Sequence, residues 1–423
     1  MPSNRRDSRQ IVPRQRQLAG WVRPESMPIE RQESWSTAWL KVGFSLTGIG
    51  TTLFGCLLPS LSSVWHLDDR RAGILFAAQF TGSALGALLV GKDFFRSVLR
   101  GYSLLTTSAA LVAFSTGYLR VPMFFAFGLG LGLTMTATSM LIGRTAAGNR
   151  GAALSVLNVI WGLGAATSPV IASLWVRRCS PPYLFLLLSA ALMMTLLLPA
   201  TRRVLLVDAS DQAPRPLGLG GDQTRVAMFA VIAFLYVGTE ASVSGWMMTY
   251  VHRLPLSPNA WPAVATTCFW VGLVSGRALV PGLVRLMSEA QLLTYSLLMA
   301  FGSILLLLLS HMALAVIVTA ALAGLTLAPI FPLCLARVLA LMQDSPESKW
   351  VFAVSGLGGA VLPWMTGELS AYRGSLRSGL LVAALALAIM IILERAGSDW
   401  GVSYLRHSSN SIRPSGEGRK SSG

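Results

Sequence analysis

Charge is what this chain lacks. Asp, Glu, Lys and Arg make up only 12% of its 423 residues, about half the share usual in soluble domains, while hydrophobic residues reach 53%. A water-soluble protein of this length would need far more charged surface to cover its cores, so the soluble globular class is excluded. Chemistry-bearing residues are scarce too. The four cysteines, Cys56, Cys179, Cys268 and Cys334, form no close pair, and the four histidines, His66, His252, His311 and His407, share no ligand spacing. A disulfide framework, a zinc site and metal catalysis are therefore unsupported. No Gly-rich loop ends in Lys-Ser or Lys-Thr, which argues against ATP as the energy source, and no cofactor is expected. An enzyme would need a nucleophile, base or metal cluster near the membrane interface, and none is readable.

What is present is a regular series of long uncharged stretches. Between Lys41 and Asp68 lie 26 residues without Asp, Glu, Lys or Arg, then 20 between Arg71 and Lys92, 19 between Arg100 and Arg120, and 23 between Arg120 and Arg144. Each is long enough to cross a bilayer core as a helix, which takes about 20 residues. The series continues to Glu394, with a 47-residue stretch between Glu289 and Arg337 that His311 divides into two. The sum is twelve spans, an all-α membrane protein of twelve transmembrane helices in two six-helix halves. Residues 1–37 are predicted to be a disordered cytoplasmic arm, 38–201 the first half, 202–225 a cytoplasmic linker, 226–397 the second half and 398–423 a disordered tail. The Pro- and Gly-bearing run from Asp208 to Asp222 marks the linker.

With both termini on one side, 26 basic residues fall in the arm, tail and loops of that side and 8 in the opposite loops. The positive-inside rule then places both termini in the cytoplasm, the protein being a multi-pass one of the plasma membrane, or of the inner membrane in a bacterium. The same bias explains the net charge of +16. Its basic residues are scattered over short loops rather than gathered on one face, so no nucleic-acid partner is expected. The partners expected are the lipid bilayer and a small solute, with the chain a monomer.

The halves repeat one another. Gly50-Thr51 matches Gly238-Thr239, Gly82 and Gly86 match Gly272 and Gly276, Gly132-Leu133-Thr134 matches Gly324-Leu325-Thr326, and Gly162-Leu163-Gly164 with Pro169 matches Gly356-Leu357-Gly358 with Pro363. The preserved order implies a parallel repeat about an axis along the membrane normal. Most of these glycines read as close helix packing. Gly164, Pro169, Gly358 and Pro363 also have a second reading, as bending points at which the halves rock.

The motifs Tyr236-Val237-Gly238-Thr239-Glu240 with Trp246 and Tyr250, Phe269-Trp270-Val271-Gly272 through Gly276-Arg277, Gly324 to Pro332 and Gly356 to Pro363 carry a resemblance to the major facilitator superfamily over roughly residues 38 to 395. Within it the chain is similar to the fucose permease and glucose/mannose-proton symporter branch. The resemblance implies a secondary transporter with two six-helix domains around a central cavity, moving a small solute by alternating access. Fucose permeases carry acidic residues in spans one and four, and this chain has none there.

Polar groups within spans are expensive and so become functional candidates. Glu240 reads as the only acidic residue deep in a span, sharing a helix face with Tyr236, and no Lys or Arg is expected at its depth. An unpaired carboxylate of this kind would take up a proton readily, the property a symporter needs. Gln79 in span two, Asn158 and Trp161 in span five and Trp270 in span eight add hydrogen-bonding groups and flat apolar surfaces suited to a sugar. Against this, Gln79 and Asn158 are equally readable as interhelical hydrogen bonders and the tryptophans as ordinary packing. Solute uptake is the leading reading, with a sugar as candidate solute and a proton as coupling ion. Export of drug-like or metabolite molecules, and a non-transporting membrane scaffold, are the alternatives.

Overall fold

The computed structural model describes residues 29–145, 150–197, 223–255, 261–342 and 348–411. The predicted linker around Asp208 to Asp222, most of the arm and the last residues of the tail lie outside them. Thirteen α-helices make the twelve spans among the described residues. They are α1 (Ile29–Trp65), α2 (Asp69–Leu88), α3 (Phe94–Phe114), α4 (Arg120–Thr145), α5 (Arg150–Trp175) and α6 (Tyr183–Leu197) in the first half. The second half has α7 (Gln223–His252), α8 (Trp261–Leu286), α9 (Glu289–Leu309), α10 (Ala313–Leu327), α11 (Ile330–Met342), α12 (Ser348–Arg373) and α13 (Leu376–Ser411). Span ten is two helices, α10 and α11, because Pro329 has no N–H with which to continue the ladder.

Helices overrun the sequence boundaries at both ends. The first helix, α1, begins at Ile29 and the last, α13, ends at Ser411. A helix needs apolar residues only while it is in hydrocarbon, and polar helix formers let it continue into water. The same overrun matters more in α8, which runs nine residues past Arg277.

Lipid supplies no hydrophobic force between helices, so backbones must approach closely, and the repeat shows where they do. A Cβ at Gly82 or Gly86 of α2 would run into the carbonyls of Phe125 or Leu129 on α4, and one at Gly128 or Gly132 into those of Gln79 or Ser83. The second half repeats this between α8 and α10: Gly272 lies against the Ala321 carbonyl, and Gly324 against that of Phe269. Gly164 of α5 abuts Ser45 of α1, and its counterpart Gly358 of α12 abuts Phe234 of α7.

The halves meet along three helix pairs, α1 with α7, α2 with α12 and α5 with α8. Gly55 sits against Gly245, Gly359 against Phe80 and Gly162 against Val274. One end of the bundle carries the α1–α2, α3–α4, α5–α6, α7–α8, α9–α10 and α12–α13 connections. Contacts such as Arg120 over the Trp65 ring, 4.5 Å from its centroid, and Arg377 with His311 at 3.5 Å hold them together. These loops bear the 8 basic residues of the sparser side, and this end is termed the low-charge face.

Leucine at Gly128 or Gly324 should lower the yield of folded, monodisperse protein and cost at least about 1–3 kcal/mol of stability, the penalty of overpacking. Gly302→Leu, where no atom lies within 4 Å of an added Cβ, should be neutral in the same size-exclusion assay.

Candidate functional site

Glu240 lies in the middle of α7, and Tyr236 one turn before it donates its hydroxyl to the Glu240 carboxylate at 2.5 Å. The same oxygen accepts from Arg277 Nη2 of α8 at 2.9 Å, and that nitrogen is 3.5 Å from the Tyr236 hydroxyl. The absence of a deep cation expected from the sequence is thus overturned: Glu240 is ion-paired rather than alone. Arg277 looks like the end of a span when a span is cut at its first charge, but the helix continues beyond it. Gly276-Arg277 accordingly stands within a helix, not a loop.

Phe331, which the sequence reading did not single out, stacks on the Tyr236 ring at 5.7 Å and 23°. It comes from the start of α11, just beyond the break at Pro329. Side-chain exposure is 14% for Glu240 and 22% for Arg277. The pair is therefore largely enclosed by its neighbours without being fully buried.

Two turns along α8 from Arg277, on the same helix face, Trp270 meets Trp161 of α5 edge-on at 5.5 Å and 76°. The two indoles belong to different halves. Both are buried, and neither Nε1 has a partner among the described residues. Asn158, one turn before Trp161, is exposed, on the other side of α5 from the exposed Val156 and Leu163. Gln79 behaves differently. It lies inside the first half, its amide donates to the Thr51 carbonyl at 3.0 Å, and its Oε1 is buried without a partner. The structure thus joins Tyr236 with Glu240 and Trp161 with Trp270, and ties Gln79 to α1.

The four residues read as bending points separate as well. Gly164 and Gly358 each pack within their own half, while the neighbouring Gly162, Gly356 and Gly359 face the opposite half. Pro363 accepts from Trp246 Nε1 at 3.1 Å. Close to Pro169, the Ala166 carbonyl accepts from Thr267 of α8 at 3.3 Å, a hydrogen bond between the halves.

A second polar cluster, at the low-charge face, was missed. Asp69 at the start of α2 receives both terminal nitrogens of Arg253, at 2.7 and 2.6 Å, and the Ser370 hydroxyl at 2.5 Å. Next to it Arg70 pairs with Glu368 at 2.9 Å. Both contacts tie α2 of the first half to α7 or α12 of the second. Burial pushes the Asp69 carboxyl up, but the Arg253 and Ser370 hydrogen bonds outweigh it and hold it below the usual carboxylate range. Loop charges are ordinarily solvated, so nothing in the sequence marked Asp69 apart from Asp68.

Residues 41–349 match the Major Facilitator Superfamily. The chain belongs to that family. Its twelve-span bundle is the family's fold, and the protein is a transporter rather than an enzyme. It is 24% identical over 355 residues to the glucose/mannose transporter GlcP of Bacillus subtilis (strain 168), covering 77% of this chain and 85% of that one. Crystal structures of FucP superpose with TM-scores of 0.59, for the outward conformation, and 0.58, for the fucose:proton symporter of E. coli. Each shares 17% identity and covers 85% of this chain and 97% of the other.

Removing one member of the Glu240–Arg277 pair leaves a charge unanswered in a poorly hydrated site. Glu240→Ala and Arg277→Ala should each destabilise the purified protein by up to about 3 kcal/mol, the partial exposure of the pair keeping the figure at the low end of the range for buried pairs. The double variant Glu240→Gln/Arg277→Gln should recover most of that loss in a thermal-shift measurement in detergent.

Proposed function

We propose that this transporter moves a small polyhydroxylated solute, a sugar, with a coupling proton, by alternating access across the plasma membrane, with both termini and the linker cytoplasmic. The Tyr236–Glu240–Arg277 cluster carries this reading. It is an ionisable group at mid-membrane, enclosed by helices yet open enough to exchange a proton or contact a solute. In the ground state Arg277 neutralises Glu240. Protonation of Glu240 cancels the pairing and frees guanidinium donors for solute hydroxyls; loss of the proton restores the pair and weakens the solute's hold. The vacant indole N–H groups of Trp161 and Trp270 suit hydroxyl acceptors, and their ring faces suit the apolar side of a pyranose. Asn158 and Gln79 supply amides, Gln79 from a position fixed by Thr51. Gly162, Gly356 and Gly359 are the sliding contacts between the halves, while Pro169 and Pro363 bend the helices that carry them.

Proteoliposomes with an imposed pH gradient test this directly. Wild-type protein should accumulate labelled glucose, mannose or fucose, and the accumulation should collapse when the gradient is discharged. Glu240→Gln, which retains a carbonyl for Arg277, should preserve solute exchange but abolish gradient-driven accumulation. Accumulation unchanged by Glu240→Gln would exclude Glu240 as the proton carrier.

In this reading the Asp69–Arg253–Ser370 cluster latches the external side. Arg253 is 43% exposed, so the ion pair contributes about 1 kcal/mol, roughly fivefold in the ratio of closed to open states, and biases the gate without locking it. Because the folded carboxyl titrates below its ordinary value, the latch is present at neutral pH and is lost only as pH falls through that depressed value. Asp69→Asn should raise the population with a long distance between spin labels at Ser63 and Tyr372 by about fivefold at neutral pH. Lowering external pH to about 5 should leave the wild-type distances unchanged.

A further inference from the structure

Two cavities meet at Arg177, away from the central cluster. Between α5 and α8, toward the low-charge face, a groove of about 270 Å³ is walled by Val170 and Leu174 on one side and by Ala263, Val264 and Cys268 on the other. Val170, Leu174 and Val264 are exposed, and in a membrane acyl chains cover such a surface. Behind the groove, among α1, α5, α7 and α8, a cavity of about 330 Å³ reaches Ser60, Met248 and His252. Ser173 and Arg177 line both.

Arg177 differs from most basic residues of its face. Arg70, Arg71 and Arg253 pair with carboxylates. Arg120 and Arg373 lie over aromatic rings, and Arg377 meets His311. No side-chain hydrogen bond, ion pair or ring contact within the described residues engages Arg177 or its neighbour Arg178, and of these two only Arg177 lines the groove. Its height is that of the membrane interface: it follows Trp175, the last residue of α5, whose indole donates to the Ser180 carbonyl at 3.0 Å.

We propose that the groove is a binding site for an anionic phospholipid of the adjoining leaflet. One acyl chain lies along Val170, Leu174, Val264 and Cys268, and the phosphate sits on Arg177, with the Ser173 hydroxyl and His252 imidazole in the connected cavity. A zwitterionic lipid fills the groove but leaves the guanidinium less well neutralised, so the site discriminates by headgroup charge. Because the two walls belong to different halves, the bound lipid favours whichever conformation keeps α5 and α8 at the spacing it fits.

The test uses the full chain in mixed micelles of phosphatidylglycerol and phosphatidylcholine, with retained lipids counted by native mass spectrometry. It is independent of transport, so its result does not depend on the proposed solute or coupling ion. Wild-type protein should retain phosphatidylglycerol preferentially. Arg177→Gln should lower the phosphatidylglycerol-to-phosphatidylcholine ratio about fivefold, the weight of one basic residue beside anionic lipid. Val264→Phe, which fills the groove, should reduce retention of both lipids, and Arg178→Gln should leave the ratio unaltered. An unchanged ratio in Arg177→Gln, or an equal fall in Arg178→Gln, would overturn the proposal in favour of diffuse surface charge. Undiminished retention in Val264→Phe, or release of the lipid by inorganic phosphate alone, would reduce the site to a phosphate contact with no acyl groove.

Discussion

Backbone lies against backbone at the glycine contacts within each half, and the rest of the structure depends on that closeness. Where Gly82 and Gly128 let α2 and α4 touch, and Gly272 and Gly324 let α8 and α10 touch, each set of six spans becomes a body that can move as a unit. A rigid body can carry a polar group at a fixed depth. Tyr236, Glu240, Arg277 and Phe331 come from three different spans of one half, so their mutual geometry is insulated from any movement between halves. The Trp161–Trp270 contact and the Asp69 cluster, by contrast, are built across the halves and must change when the halves move.

The two charge clusters obey one rule in two solvents. At mid-membrane a charge is tenable only beside its opposite, and the Glu240–Arg277 pair nearly cancels its own field. At the low-charge face water is at hand, and the Asp69 cluster acts as an adjustable bias of modest size. In the proposed cycle the first would respond to solute and proton, and the second would be weak enough for their binding energy to move.

Much of this was legible in the chain because hydrocarbon permits so few solutions. Span number, the repeat, the packing role of the glycines and the candidacy of Glu240 with Tyr236 all follow from where charge is absent and where small residues recur. Arg277 was misplaced for an instructive reason. Insertion costs mark the first charge as a boundary, yet a charge that finds its partner on the neighbouring helix is no boundary at all. The overruns at residues 29–37 and 398–411 have the same origin, since polarity ends a span without ending a helix. Phe331 and Asp69 were invisible because their significance lies in distant partners. The spacing of Asp69 from Arg253 and Ser370 is 184 and 301 residues, and no local pattern encodes it.

That separation bears on how the protein is made. Asp69 enters the membrane with the second helix, but the residue that completes its cluster, Ser370, stands near the end of the eleventh span. During synthesis the first half must insert, fold and persist with this carboxylate facing water, its counter-charge not yet translated. Closure of the low-charge face between α2 and α12 therefore cannot precede the synthesis of α12. A ribosome stalled or a chain truncated before α12 would leave a stable, glycine-packed half whose face toward its missing partner is still open.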